Sequence, residues 1–347
     1  MLTAIQPEGT PAVPHLSVCV VTHGARTPDL ERALASVFRY TSDMTVEVIA
    51  VDNGSTGESP KMIAERFPSV TVIHNRHNIG YAPAMNLALE RSTGRYVLCL
   101  SDDAEMLPGS IQKLLAFMRT HPKCGLAGPQ LLNGDGEMLT TRHHPNMLVS
   151  VWGEIVPVKM WLRKHKLLRK VATSLFRNTS GLTSDYGRTA SVRALSGGVI
   201  LSRREFLDDV GFLDGNMPLG PDDYDWCYRA IKKGYEVWFV AESTMIHRQK
   251  PKEDPSLIRP MNLFVQLPAL LYYYQKNHDG LKLRLFKSSV LLLSLKWKWK
   301  IRRQHGANSL HYRAVEAGHR ICLDSEQYLS DIVSNWTQQY RMFEGSK

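Results

Sequence analysis

The chain is 347 residues long, 43% hydrophobic, and carries a formal net charge of +10. That apolar share supports a sizeable core and excludes wholesale disorder. Its five cysteines are scattered, odd in number and without metal-ligand spacing, which excludes a disulfide framework and points to a reducing compartment.

Residues 1–14 are proline-rich and read as a flexible start. They lack the basic-then-apolar order of a secretory signal, so a cytoplasmic location is expected. No stretch approaches the ~20 apolar residues that a membrane-spanning helix requires. LSVCVVTHG, from Leu16, reads as a buried strand ending in polar residues, with Thr27-Pro28 opening a helix through about Tyr40. VEVIAVDNGS is a second strand, SPKMIAERF a short helix and VTVIHN a third strand. NIGYAPAMNLALERSTG places a glycine turn before a helix, RYVLCLSDD is a fourth strand, PGSIQKLLAFMRTH a helix and CGLAGPQLL a fifth strand. A basic, partly helical insertion at about 140–190 interrupts the alternation. ALSGGVILSRREFLDDVGFLDG then returns to strand and helix, GPDDYDWCYRAIKKG is a helix, and YEVWFVAES is a strand closely followed by His247.

Strands alternating with helices predict an α/β fold with a mostly parallel, Rossmann-like sheet flanked by helices. Ligands in such sheets bind beyond the carboxyl ends of the strands. Three strands end in polar groups: Thr22-His23, Asp52-Asn53, and Ser101-Asp102-Asp103. All three should lie along one edge.

Each polar group has two readings. Asp102 and Asp103 are either turn acids before Pro108 or a divalent-cation site completed by substrate phosphates. Asp52 is either the head of an Asx turn or an acceptor for a nucleobase or ribose. Asp222, Asp223 and Asp225 suit the helix dipole, yet a carboxylate held rigidly there could act as a general base. His247 is either a structural histidine or a ligand to a Mn²⁺-like ion facing Asp103.

The motifs SVCVVTHG, VIAVDNGS, NRHNIGYAPAMNLAL, LCLSDDAEMLPG, SGGVILSRREFLDDVGFLDG and PDDYDWCYRAIKKGYEVWFVAESTMIH, in this order, resemble family 2 glycosyltransferases of the GT-A fold, within them the bacterial rhamnosyltransferase-like branch. The resemblance implies a catalytic domain over 15–250, a nucleotide-diphosphate sugar donor, Mn²⁺ or Mg²⁺, and inversion at the anomeric carbon. It implies that Asp103 holds the metal on the donor diphosphate, with His247 able to complete the site. Thr22, His23, Asp52, Ser101 and Asp102 fall on donor-binding positions. Asn78, Gly80 and Asn86 match the loop and helix that close over the nucleotide. Asp223 matches the catalytic base, and Gly197, Gly198 and Asp222 match the acceptor side. Ser101 departs from the family pattern, which has a carboxylate there.

The positive charge is localised. Segments 155–184 and 280–315 hold sixteen bases and no acid, and the remaining 27 bases face 33 acids. In 281–303 the bases interleave with Leu281, Leu285, Leu292, Leu295 and Trp299, which share a stripe on a helix. This suits an anionic membrane surface, with 159–177 as a second candidate. KWKWK alternates, so part of it could instead be a strand, and a solvated helix packed on the catalytic domain is the plain reading. Region 251–347 is thus expected to be a helical, basic extension, peripheral at the inner membrane face, for a glycan or lipid-linked glycan acceptor in cell-surface polysaccharide synthesis. The rivals are a nucleotidyltransferase on a similar sheet and a nucleic-acid binder. The first calls for a glycine-rich, basic loop after the first strand, and VVTHGARTPD is only weakly of that kind. The second leaves the acids unexplained, so no nucleic acid is expected.

Overall fold

The computed structural model of the chain describes residues 14–23, 27–55, 57–139, 142–143, 187–195, 197–217, 220–248, 267–278 and 280–323. Most of the expected insertion, including the basic segment 159–177, lies outside the described residues, as do 1–13 and 324–347.

The strands are β1 (Leu16–Thr22), β2 (Val46–Asn53), β3 (Thr71–Asn75), β4 (Tyr96–Ser101), β5 (Ala104–Met106), β6 (Cys124–Leu132), β7 (Arg142–His143), β8 (Ala190–Ser191), β9 (Ala194–Leu195), β10 (Val199–Arg203) and β11 (Glu236–His247). The helices are α1 (Thr27–Tyr40), α2 (Ser59–Arg66), α3 (Tyr81–Arg91), α4 (Ser110–Thr120), α5 (Arg204–Val210), α6 (Asp222–Lys232), α7 (Gly280–His305) and α8 (Leu310–Leu323). Residues 267–277 are also helical.

The main sheet runs β3-β2-β1-β4-β10-β6-β11-β5, with β8 joined to β11. β1 to β4 pair in parallel, so their carboxyl ends fall on one edge, as expected. Each of these strands alternates its apolar residues between two buried layers. Leu16, Val18 and Val20 of β1 join the layer under α1, α2 and α4; Cys19 and Val21 join the layer under α3, α5 and α6. A strand buried on both faces carries apolar residues on both, which is why LSVCVV shows no polar alternation, and its buried Ser17 is satisfied by Glu47 and the Gly94 N–H.

Two features break the parallel expectation. β10 lies antiparallel between β4 and β6. β5, too short to show a periodicity, pairs antiparallel with the end of β11, setting Ala104 against His247. Both changes act at the edge where the polar strand ends collect.

α7 and α8 form a third apolar cluster with 267–277. Its buried residues include Leu270, Tyr274, Phe286, Val290, Leu293, Trp297 and Ile301, and Tyr224 and Tyr228 of α6 pack against it. KWKWK is helical, not a strand, because its residues continue the buried face begun at Phe286.

Candidate active site

The register aligns Thr22 with Asp52 and Val21 with Ser101, so the three polar strand ends are neighbours. Asp52 is buried. Its Oδ1 accepts a hydrogen bond from the Ser55 N–H at 3.0 Å, and its Oδ2 lies 3.3 Å from His74 Nδ1. The bond reaches the N–H three residues on, not the two of an Asx turn, and it holds the carboxylate at the edge.

Asn53, to which the sequence assigned no role beyond membership of a polar strand end, organises the next loop. Its Nδ2 donates to Asn78 Oδ1 at 2.9 Å and to the Gly80 carbonyl, while its Oδ1 accepts from Asn75 Nδ2 and the Ile79 N–H. The exposed His23 places Nδ1 3.0 Å from the Asn53 carbonyl. Asn78 in turn accepts from the Gly80 N–H at 2.8 Å at the head of α3. Gly54, at φ 78°, lies so close to this loop that a Cβ would sit 2.5 Å from the His77 carbonyl carbon. The signal was available only as an asparagine between Asp52 and a turn glycine. Asn86 sits one turn further along α3, where it donates to the Leu213 carbonyl and accepts from the Leu213 N–H. It braces the loop after α5.

Beyond β4, Ser101 Oγ donates to Asp103 Oδ1 at 2.7 Å, and His247 Nε2 lies 3.0 Å from the same oxygen. Half-buried Asp102 precedes this pair. Burial pushes the Asp103 pKa up, but the His247 hydrogen bond and charge and the Ser101 hydroxyl outweigh it, so the carboxyl titrates below its usual range. The serine at this position thus orients the aspartate that follows. His247 Nδ1 is buried without a hydrogen-bond partner.

α6 starts at Asp222, which is buried with Oδ2 unpartnered. Asp223 Oδ1 accepts from the Tyr224 N–H at 2.8 Å, and its Oδ2 accepts from the Gly197 N–H at 2.9 Å. Burial raises the Asp223 pKa to about 6 against these hydrogen bonds. Asp222 is raised as well, by burial and by the neighbouring Asp223 charge. Gly198 follows directly: a Cβ there would stand 2.8 Å from His247 Cε1, and its carbonyl accepts from the Ser101 N–H at 2.9 Å. One glycine pair thus touches the Asp223 carboxylate, the His247 ring and the end of β4. The structure brings Asp103, His247, Gly197, Gly198, Asp222 and Asp223 together.

Asp225 has a different role. It is 0% exposed and pairs with Arg229 at 2.7 Å and Lys276 at 3.0 Å, and it accepts from Asn277 Nδ2. Lys276 also reaches Asp214 at 2.7 Å. This network ties α6 to the 267–277 helix.

Asp103 and His247 offer an anionic oxygen and an imidazole, a donor pair suited to Mg²⁺- or Mn²⁺-like ions. Among the described residues no three His, Cys, Asp or Glu side chains are gathered to hold a metal by themselves.

The family model Glycosyl transferase family 2 matches residues 17–183. The chain is similar to N-acetylglucosaminyl-diphospho-decaprenol L-rhamnosyltransferase of Mycobacterium tuberculosis, with 28% identity over 250 residues, 67% of this chain and 76% of that protein. Among solved structures it is similar to GalNAc-T7 with UDP, GalNAc and Mn²⁺, at a TM-score of 0.55 and 15% identity, covering 94% of this chain but 58% of that one. It is also similar to the mannosyltransferase PcManGT of Pyrobaculum calidifontis with GDP-Man and Mn²⁺, at a TM-score of 0.53 and 15% identity over 91% of this chain and 89% of that one. The solved structures carry the GT-A architecture, and the family model and the mycobacterial relative are both glycosyltransferases by description.

Proposed function

We propose that this chain, a glycosyltransferase carrying a family 2 domain on a GT-A fold, moves a sugar from a nucleotide diphosphate to a hydroxyl of a lipid-linked glycan with inversion. The observation that carries the proposal is the Gly197-Gly198 turn. It joins a carboxylate of raised pKa, Asp223, to the Asp103–His247 pair at the carboxyl edge of the sheet.

In this reading the strand ends bind the donor. Asp52, Thr22 and His23 face the nucleoside, and Asn53 holds the 76–80 loop, with Asn78 and Gly80, against it. Asp103 and His247 hold Mn²⁺ or Mg²⁺, and the donor diphosphate supplies further oxygen ligands, since such ions need only one or two protein groups when phosphates are present. When bound, the cation offsets negative charge on the leaving diphosphate. Ser101 keeps the Asp103 carboxylate aimed, and Asp102 completes the donor loop.

Asp223 takes the proton from the acceptor hydroxyl while that oxygen forms its bond to the anomeric carbon. The bond from that carbon to the diphosphate oxygen breaks in the same displacement, and the electron pair leaves with the diphosphate. Asp222 and the glycine turn hold the acceptor. Burial of Asp223 keeps it basic enough to accept the proton, and its two backbone hydrogen bonds fix its direction.

The mycobacterial relative is named for rhamnosyl transfer to N-acetylglucosaminyl-diphospho-decaprenol. By that likeness dTDP-rhamnose is the donor to test first, and a polyprenyl-diphosphate-linked sugar the acceptor. A lipid-linked acceptor places the enzyme at the inner face of the cell membrane. Nucleotide sugars are to be screened for thermal stabilisation with Mn²⁺ or Mg²⁺, followed by a transfer assay with the stabilising donor. Stabilisation by no nucleotide sugar under either cation would end this reading.

A further inference from the structure

α7 buries one face and leaves the opposite one bare. Phe286, Val290, Leu293, Trp297 and Ile301 pack into the cluster with α8 and 267–277. Leu281, Leu285, Leu292, Leu295 and Trp299 are 49–68% exposed. These five are most of the exposed large apolar side chains among the described residues. At 100° per residue they fall within an arc of roughly 80° along the helix.

Exposed bases border this stripe on both sides. Arg284 and Arg302 lie along one margin, and Lys282, Lys296 and Arg303 along the other. The Arg303 guanidinium lies 4.8 Å from the Trp299 ring centroid, at the boundary between the two chemistries. No acid occurs from 280 to 315. A second protein surface would need acids and an apolar groove in the matching order; an anionic bilayer supplies both in one layered arrangement. No helix of the described residues is long and apolar enough to cross a membrane.

We infer that α7 lies in the plane of an anionic bilayer, with the Leu281-to-Trp299 stripe in the acyl boundary and the flanking bases on phosphate headgroups. This rests on the membrane-face location proposed above and names the surface that achieves it. Phe286 on the inner face of α7 stacks on Tyr274, and the adjacent Tyr273 meets Tyr228 of α6, so the docked helix is joined through the 267–277 helix to the helix that bears Asp223.

The test is flotation of the full chain with phosphatidylglycerol-containing vesicles and with pure phosphatidylcholine vesicles. Three forms are compared: the natural chain, the triple variant Leu285→Gln, Leu292→Gln, Leu295→Gln, and the triple variant Arg284→Ala, Lys296→Ala, Arg303→Ala. The natural chain should float with the anionic vesicles only, and each variant should lose about tenfold or more in vesicle affinity. The substituted side chains face solvent, so thermal midpoints should stay unchanged. Failure of the natural chain to float with anionic vesicles overturns the inference, as does a leucine variant that floats equally well. Sedimentation in which the leucine variant dissociates an oligomer, with vesicle binding unaltered, assigns the stripe to a second copy instead. Donor-induced thermal stabilisation, measured without vesicles, separates the two proposals, since either property can fail alone.

Discussion

The Gly197 N–H donates to Asp223 Oδ2 at 2.9 Å, fixing the carboxylate at the start of α6 against the turn that precedes β10. The next residue lies against the His247 ring. A dipeptide without side chains is therefore the hinge between Asp223, proposed to accept the proton, and the Asp103–His247 pair, proposed to hold the cation.

The two glycines should respond differently to a methyl group. At Gly197 a Cβ would meet Asp223 Oδ2 at 3.4 Å, an ordinary contact; at Gly198 it would stand 2.8 Å from His247 Cε1. Gly198→Ala should displace the imidazole and reduce transfer by about a hundredfold, since small displacements of positioned groups carry such costs. Gly197→Ala should lose no more than about tenfold. Equal losses in kcat/KM, with equal melting temperatures, would contradict this arrangement.

Asp223→Asn should lower kcat by about 10²–10⁴-fold while leaving donor stabilisation intact, the signature of a lost general base. A carboxyl raised to about 6 is ionised only above that pH. Transfer should therefore climb as pH rises through about 6 and level off above it, with the apparent value belonging to the Asp222–Asp223 pair. A rate profile flat from pH 5 to pH 7, in roughly this window, would rule out an ionised Asp223 as the base.

The same shift has a stability consequence of opposite sign. The folded chain holds this proton more tightly than the unfolded chain, whose carboxyl titrates near 3.8. The stability that this group contributes is thus fully present below that value and is lost as pH rises through about 6. Asp223→Asn removes the decline, so the variant should melt later than the natural chain at pH 7, by on the order of 1–2 kcal/mol, and not at pH 4. Melting curves at the two pH values decide it.

Ser101→Ala should weaken cation-dependent donor binding moderately, by about tenfold, because it removes one hydrogen bond from Asp103 and leaves the carboxylate in place. Asp103→Ala should abolish it. Titration of Mn²⁺ in the presence of donor separates the two, and a Ser101→Ala variant as defective as Asp103→Ala would make the serine a ligand in its own right.

Asp225→Ala should be a folding defect, not a catalytic one. It removes a buried carboxylate from Arg229, Lys276 and Asn277, while Arg229 keeps the Val210 and Phe212 carbonyls and Lys276 keeps Asp214, at a cost of about 1–3 kcal/mol. Urea denaturation measures this directly.

The layered fold was legible because strands buried on both faces are continuously apolar, and helices between them repeat every three or four residues. The polar ends Thr22, Asp52 and Ser101 then had to share an edge, since parallel strands point the same way. The acid pair at 222–223 and His247 were visible as residue types out of place. Tertiary structure alone decided the rest. Antiparallel β10 brings Gly197-Gly198 beside β4, and three-residue β5 sets Ala104 against His247; both are long-range pairings with no local period. The hydroxyl of Ser101 binds Asp103, Asn53 anchors a loop twenty-five residues away, and Asp225 is structural while its neighbour Asp223 faces the site. A side chain's chemistry is written in the sequence, but its partner is chosen by which elements pack against it.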